Sequence, residues 1–221
     1  MEFLGVFIKF GEQYHMEELL NSGSIYCNPV SHFVSFDDEN VRRDEYEDVN
    51  YQLSLKNSII AMEDPQFPEK GFVDIGTAEV VKLRSRQSLS GNLFCLSHYH
   101  FSEEMFDKDY EIDSRCNEFG SHAVIIVNVK EFIIRLQKTL DDLNYSYSLG
   151  AVTYVDFLNF TGHKHLYQKD IKYSWQKEYR LHIENLNHIP IKVELGDLSD
   201  IASIISMRDE PPITLRIEPI V

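Results

Sequence analysis

The chain has 221 residues, 43% of them hydrophobic, with a formal net charge of -15 and a pI near 4.9. A field of that sign repels phosphate backbones, so it excludes nonspecific nucleic-acid binding and leaves a protein with a basic surface as the fitting partner. Three cysteines without C-x-x-C spacing, no signal-peptide pattern in MEFLGVFIKFGEQ and no run near the ~18 apolar residues of a membrane span predict a reducing, cytoplasmic setting.

Residues 3 to 10, FLGVFIKF, read as an apolar strand ending at Gly11. In EQYHMEELLNSG, Tyr14, Met16, Leu19 and Leu20 recur near helical spacing, and Gly23 supplies a C-terminal stop. SIYCN follows as a second strand. From Phe36 to Asp48 the chain reads FDDENVRRDEYED, polar enough for a loop or a short exposed helix. Strand-like runs come next at YQLSL, SIIAM, EVVKL and NLFCLS, with Pro65, Pro68 and Gly71 punctuating the loop between two of them. Residues 99 to 120 show no clean period and read as a long surface excursion.

HAVIIVNV has the character of a buried strand. It runs into KEFIIRLQKTLDDL, where Phe132, Ile133, Leu136, Leu140 and Leu143 make a helical stripe. LGAVTYVDF reads as a strand and GHKHLYQKDIKYS as a polar connection. In YSWQKEYRLHIEN, period two sets Trp175, Tyr179, Leu181 and Ile183 on one side of a strand and Gln176, Glu178, Arg180, His182 and Glu184 on the other. HIPIKVEL is a further strand, Asp197 would cap a helix over LSDIASIISM, and TLRIEPI closes the chain as a strand. With no repeat and no linker, residues 1–221 read as one α+β domain, its sheet mixed or largely antiparallel and packed with helices.

The ionisable side of the YSWQKEYR strand admits two readings. It is either a solvated sheet face or the wall of a cleft. Arg42 and Arg43, inside an acidic run, could grip a phosphate or carboxylate through forked hydrogen bonds, or neutralise their neighbours on a surface loop. The pairs His98/His100 and His163/His165 lack the context of a metal site and read as loop histidines. No nucleophile elbow, phosphate loop or dinucleotide fingerprint is present, and Asp74, Glu79 and Lys82 have the wrong spacing for a nuclease. Cys95, inside an apolar run, reads as a core thiol.

The late WQKEYR motif resembles the Gln/Glu-x-Glu signature of ADP-ribosyltransferases. In those enzymes a basic residue on the first strand, a Ser or Tyr on a middle strand and a Glu on a late one follow in that order; Lys9, Ser97 and Glu178 do so here. Lys9 stands where His or Arg is usual. The resemblance implies NAD as substrate; the residues themselves, as above, predict no metal. Glu178 would stabilise an oxocarbenium-like centre, Gln176 would orient the acceptor and Ser97 would support the strand. Arg43 would clamp the pyrophosphate, with Lys9 and Arg180 completing the cofactor side.

Over most of its length, through FIKFG, LLNSGSIYCNP, DDENVRRDEYED, LFCLS, FGSHAVIIVN and WQKEYR, the chain also resembles a widespread uncharacterised group of bacterial and phage-associated proteins. That group is a domain of unknown function, sometimes encoded near mobile elements or defence genes. Gln176 stands where a second acidic residue is common in it. Two functions therefore remain open: an NAD-dependent ADP-ribosyltransferase-like effector or toxin in phage–host conflict, and a noncatalytic acidic sensor or regulatory interaction protein of a defence system.

Overall fold

The computed structural model describes residues 5–34, 44–86, 90–102, 108–207 and 213–216. The chain opens with β1 (Gly5–Gly11), α1 (Gln13–Ser22) and β2 (Ser24–Pro29), as the apolar runs predict. Gly23 ends α1 in the left-handed region at φ 62°, and its N–H caps the Glu18 and Leu19 carbonyls. A short α2 (Val30–Val34) follows. Next come two long strands, β3 (Val49–Glu63) and β4 (Phe72–Arg86), joined through the Pro- and Gly-punctuated loop. β5 (Asn92–His100) carries NLFCLS, β6 (Tyr110–Glu111) is short, and β7 (His122–Ile126) leads into α3 (Val129–Asp142). The remaining strands are β8 (Tyr147–Ala151), β9 (Thr153–Val155), β10 (Gly162–His163), β11 (Gln168–Asp170), β12 (Glu178–Ile183), β13 (Ile191–Glu194), β14 (Ala202–Ser206) and β15 (Thr214–Leu215).

Eight strands make the main sheet, and every neighbouring pair in it is antiparallel. Its spine runs β8-β12-β5-β1-β7-β14, and β2 with β13 branches from the β5 edge. The architecture is α+β. α3 lays Phe132, Ile133, Leu136 and Leu140 on one sheet face, against Phe7, Leu96, Val124, Leu181 and Ile183. Each such side chain contributes about 2 kcal/mol by leaving water, which is what seats the helix. The opposite face carries a second apolar cluster around Val6, Ile8, Phe10, Tyr99 and Cys116. No helix among the described residues is long and apolar enough to cross a membrane.

Four expectations need correction. Asp197 accepts a hydrogen bond from the Ser199 N–H, but it caps a turn; LSDIASIISM forms β14, because β7 offers an open edge to which β-branched Ile204 and Ile205 pair. LGAVTYVDF breaks at Val152, whose N–H turns aside to the Glu178 carbonyl. The 99–120 segment is not wholly superficial: β5 runs on to His100, and Tyr99, Ile112 and Cys116 are buried. The YSWQKEYR strand starts at Glu178. Residues Ile171–Gln176 form a 3-10 helix closed by Lys177 at φ 46°, so Trp175 packs on Phe119 in the second cluster instead of joining Tyr179.

Candidate functional site

β5 is the element on which the site is built. On one edge β12 pairs with it from Asn92 to Ser97. On the other edge, β1 pairs with Ser97–His100 and β2 with only Asn92 and Leu93. β1 and β2 thus splay apart beside Phe94, Cys95 and Leu96. A cavity of about 130 Å³ lies at this split. That is room for a single aromatic ring, not a whole dinucleotide. Aromatic side chains of Phe10, Tyr26, Phe33, Phe94 and Phe119 line it. Lys9 comes from β1, places its ammonium 4.5 Å over the Phe94 ring, and donates to the Cys95 carbonyl at 2.7 Å.

The inner wall is ionic. Register sets Glu178 opposite Ser97 and Arg180 opposite Cys95, so these four share a sheet face. Arg180, 1% exposed, forks onto Glu47 through bonds of 2.6 and 3.0 Å and donates Nε to Glu178 at 2.6 Å. Its remaining bond goes to the Leu166 carbonyl. Lys169, from β11, donates to Glu178 at 2.9 Å and to the Gln176 Oε1 at 2.7 Å. Asp44 and Lys164 are buried close by; the Asp44 Oδ2 and the Lys164 Nζ have no hydrogen-bond partner among the described residues. Three carboxylates and three cations thus share one buried cluster, balanced in formal charge.

Burial pushes the Glu178 carboxyl up, but the Arg180 guanidinium and the Lys169 ammonium outweigh it and hold the group well below the carboxylate range. Glu47 is lowered in the same way, against burial, by Arg180 and Lys164. Asp44 goes the other way: burial, with the Glu47 charge beside it, raises it to about 6. Burial also lifts the Cys95 thiol far above its ordinary value, with the Glu178 charge adding to the effect. Cys95 is therefore a protonated thiol at neutral pH and a poor nucleophile.

Five of the six residues singled out from sequence line this one cavity: Lys9, Ser97, Gln176, Glu178 and Arg180. Arg43 lies outside the described residues, next to the buried Asp44. The polar face of β12 is not solvated, since Glu178 and Arg180 are both buried. Sequence reasoning missed Glu47 and Asp44, taken for a solvated run, and Lys164 and Lys169, taken for a polar connection. No period announces them, because each sits in irregular chain or a very short strand. The one signal was spacing: Asp44 and Glu47 stand three apart beside two arginines. Of the histidine pairs, His98 and His100 lie 6.1 Å apart by ring centroid, and His98 is packed edge-on to Phe7 and Tyr179. Among the described residues no three His, Cys, Asp or Glu side chains group as metal ligands. Compared with known proteins, the chain matches no family profile, no curated protein and no solved structure.

Proposed function

We propose that the cleft binds NAD and that the protein is an ADP-ribosyltransferase-like enzyme, an effector in phage–host conflict. The observation that carries this reading is the convergence of Lys9, Ser97, Gln176, Glu178 and Arg180 on one aromatic-walled cavity at the sheet split. On this reading a ring the size of nicotinamide would sit by Phe10 and Phe119, on the sheet face that carries Ser97 and Glu178, and the rest of the dinucleotide would lie across the mouth beside Tyr26 and Phe33. Glu178 stays ionised at any physiological pH because two cations hold it so. A fixed carboxylate in a site shielded from water favours the positive charge that builds on the ribose as the bond to nicotinamide breaks. Gln176 is held beside it by Lys169, which fixes the amide's orientation toward an incoming acceptor.

A second reading is favoured by one feature. Both Glu178 oxygens already meet cations, so the cluster closes on itself and would serve a noncatalytic sensor or regulatory protein equally well. Labelled NAD separates the two. The enzyme reading predicts nicotinamide release or protein labelling by the wild type, reduced at least 100-fold in Glu178→Gln, in line with the loss of one transition-state contact, on the order of 10²–10³. Binding without turnover, whatever the acceptor, supports the sensor. Neither binding nor turnover removes NAD from the account.

A further inference from the structure

β3 and β4 form a ribbon unlike anything else in the molecule. Each strand has 15 residues, so the ribbon is roughly 50 Å long. Among the described residues a third strand joins it only at the base, where β10 pairs with Tyr51 and Gln52. Beyond that point both of its edges are unpaired among the described strands. Both faces expose apolar side chains: Ile59 (64%), Met62, Phe72 (73%), Val73 and Ile75. A two-stranded ribbon alone in water is marginal, and three or more strands are needed for independent stability. An open edge with apolar faces is also a template for further pairing.

We infer that this ribbon is a self-association arm, and that its occupant is the same ribbon of a second copy, paired along β4. Charge selects that occupant. From Val49 to Arg86 the chain carries five basic and five acidic residues, in a molecule of net charge -15. A basic partner is drawn to the acidic remainder and gains nothing from a neutral arm, whereas two neutral arms meet without repulsion. The length of the arm holds the two acidic bodies apart by more than the ~8 Å Debye length of physiological salt. β4 is the suitable edge. β3 is interrupted by Asn57 at φ 48°, and its base is covered by β10 and by Thr161, which accepts from the Ser54 N–H. β4 has no left-handed residue, and after the irregularity at Ile60/Ala61 its partner positions run in step from Gly76 to Ser85. Two arms joined there make a four-stranded sheet, and their apolar faces become continuous.

The test is sedimentation velocity on the full chain over a concentration series, with amide exchange recorded at each end. Consecutive N–H groups of an antiparallel strand point to opposite edges. Of Val80→Pro and Val81→Pro, one therefore removes only an outward donor and leaves the ribbon's own ladder intact. The expected result is a monomer–dimer shift in the wild type, new exchange protection within Gly76–Arg86 over the same range, and a monomer for the outward proline with unchanged circular dichroism. A wild type that stays monomeric throughout overturns the inference. So does a dimer that both prolines leave intact, or protection that arises outside the ribbon. Should both prolines unfold the ribbon, the wild-type exchange pattern alone decides.

Discussion

Arg180 meets Glu47, 133 positions away in sequence, and Glu178, two positions away, through direct hydrogen bonds. Taking such charges out of water is costly, and their mutual attraction returns the cost only when the geometry is this complete. The cluster is thus better understood as a device for orientation than as a source of stability. Its three carboxylates titrate with opposite signs. Asp44 has a folded value near 6 against an ordinary 3.8, so its ionisation opposes folding; that penalty is full above pH 6 and fades as pH falls toward 4. Glu47 and Glu178 are depressed, so their stabilisation is full above the ordinary carboxylate value of 4.5 and is lost as pH falls through their folded values. Stability measured by urea midpoint should therefore rise between pH 7 and pH 5 and fall again in stronger acid. Asp44→Asn should remove the rise and keep the acid loss; a rise unaltered in that variant would mean that another group carries it. The sequence showed Glu178 and Arg180 as a pair on one face, since period two survives in β12. It hid their partners because Glu47 is brought in from 133 positions away and Lys169 sits on a three-residue strand too short to show a period.

At the scale of elements, helices and strands with a strong period were readable, and short or irregular pieces were not. β1, α1, β7 and α3 lie where their apolar spacing puts them, because each buries a face wide enough to dominate local preference. α3 begins at an Asn: the Asn128 side chain accepts from the Glu131 N–H at 3.0 Å. Asn128→Ala should lower stability by about 1 kcal/mol in denaturant titration. It should leave NAD binding unchanged, since α3 packs on the sheet face opposite Ser97 and Glu178. A loss of binding in that variant would mean that the helix reports on the cleft. What was not legible is the splay of β1 from β2. Neither strand's sequence announces a split, because the split arises from where each leaves β5. The YSWQKEYR strand misled for a related reason. Period two continues through Trp175 and Gln176, but the left-handed Lys177 turns the chain before β12 begins. Gln176 still reaches the site, held by Lys169 instead of by strand alternation.

For the molecule as a whole, a net charge of -15 is carried outside a ribbon that holds five basic and five acidic residues. On the proposals above, the ribbon would take a second copy, the cavity at the sheet split a small ligand, and the acidic body would be left for a basic protein. The α+β class followed from the alternation of apolar runs, whereas the ribbon's projection did not, since apolar β-prone runs look alike whether they are covered or exposed. The central question is whether NAD enters the cavity at the split. Calorimetric titration of NAD into the wild type and into Tyr26→Ala answers this, because Tyr26 lines the cavity yet is half exposed and carries no core packing. One-site binding by the wild type, weakened roughly 10-fold in Tyr26→Ala by the loss of a ring contact of about 1–1.5 kcal/mol, is the predicted result. Equal heats from the two proteins, or none from either, would contradict it.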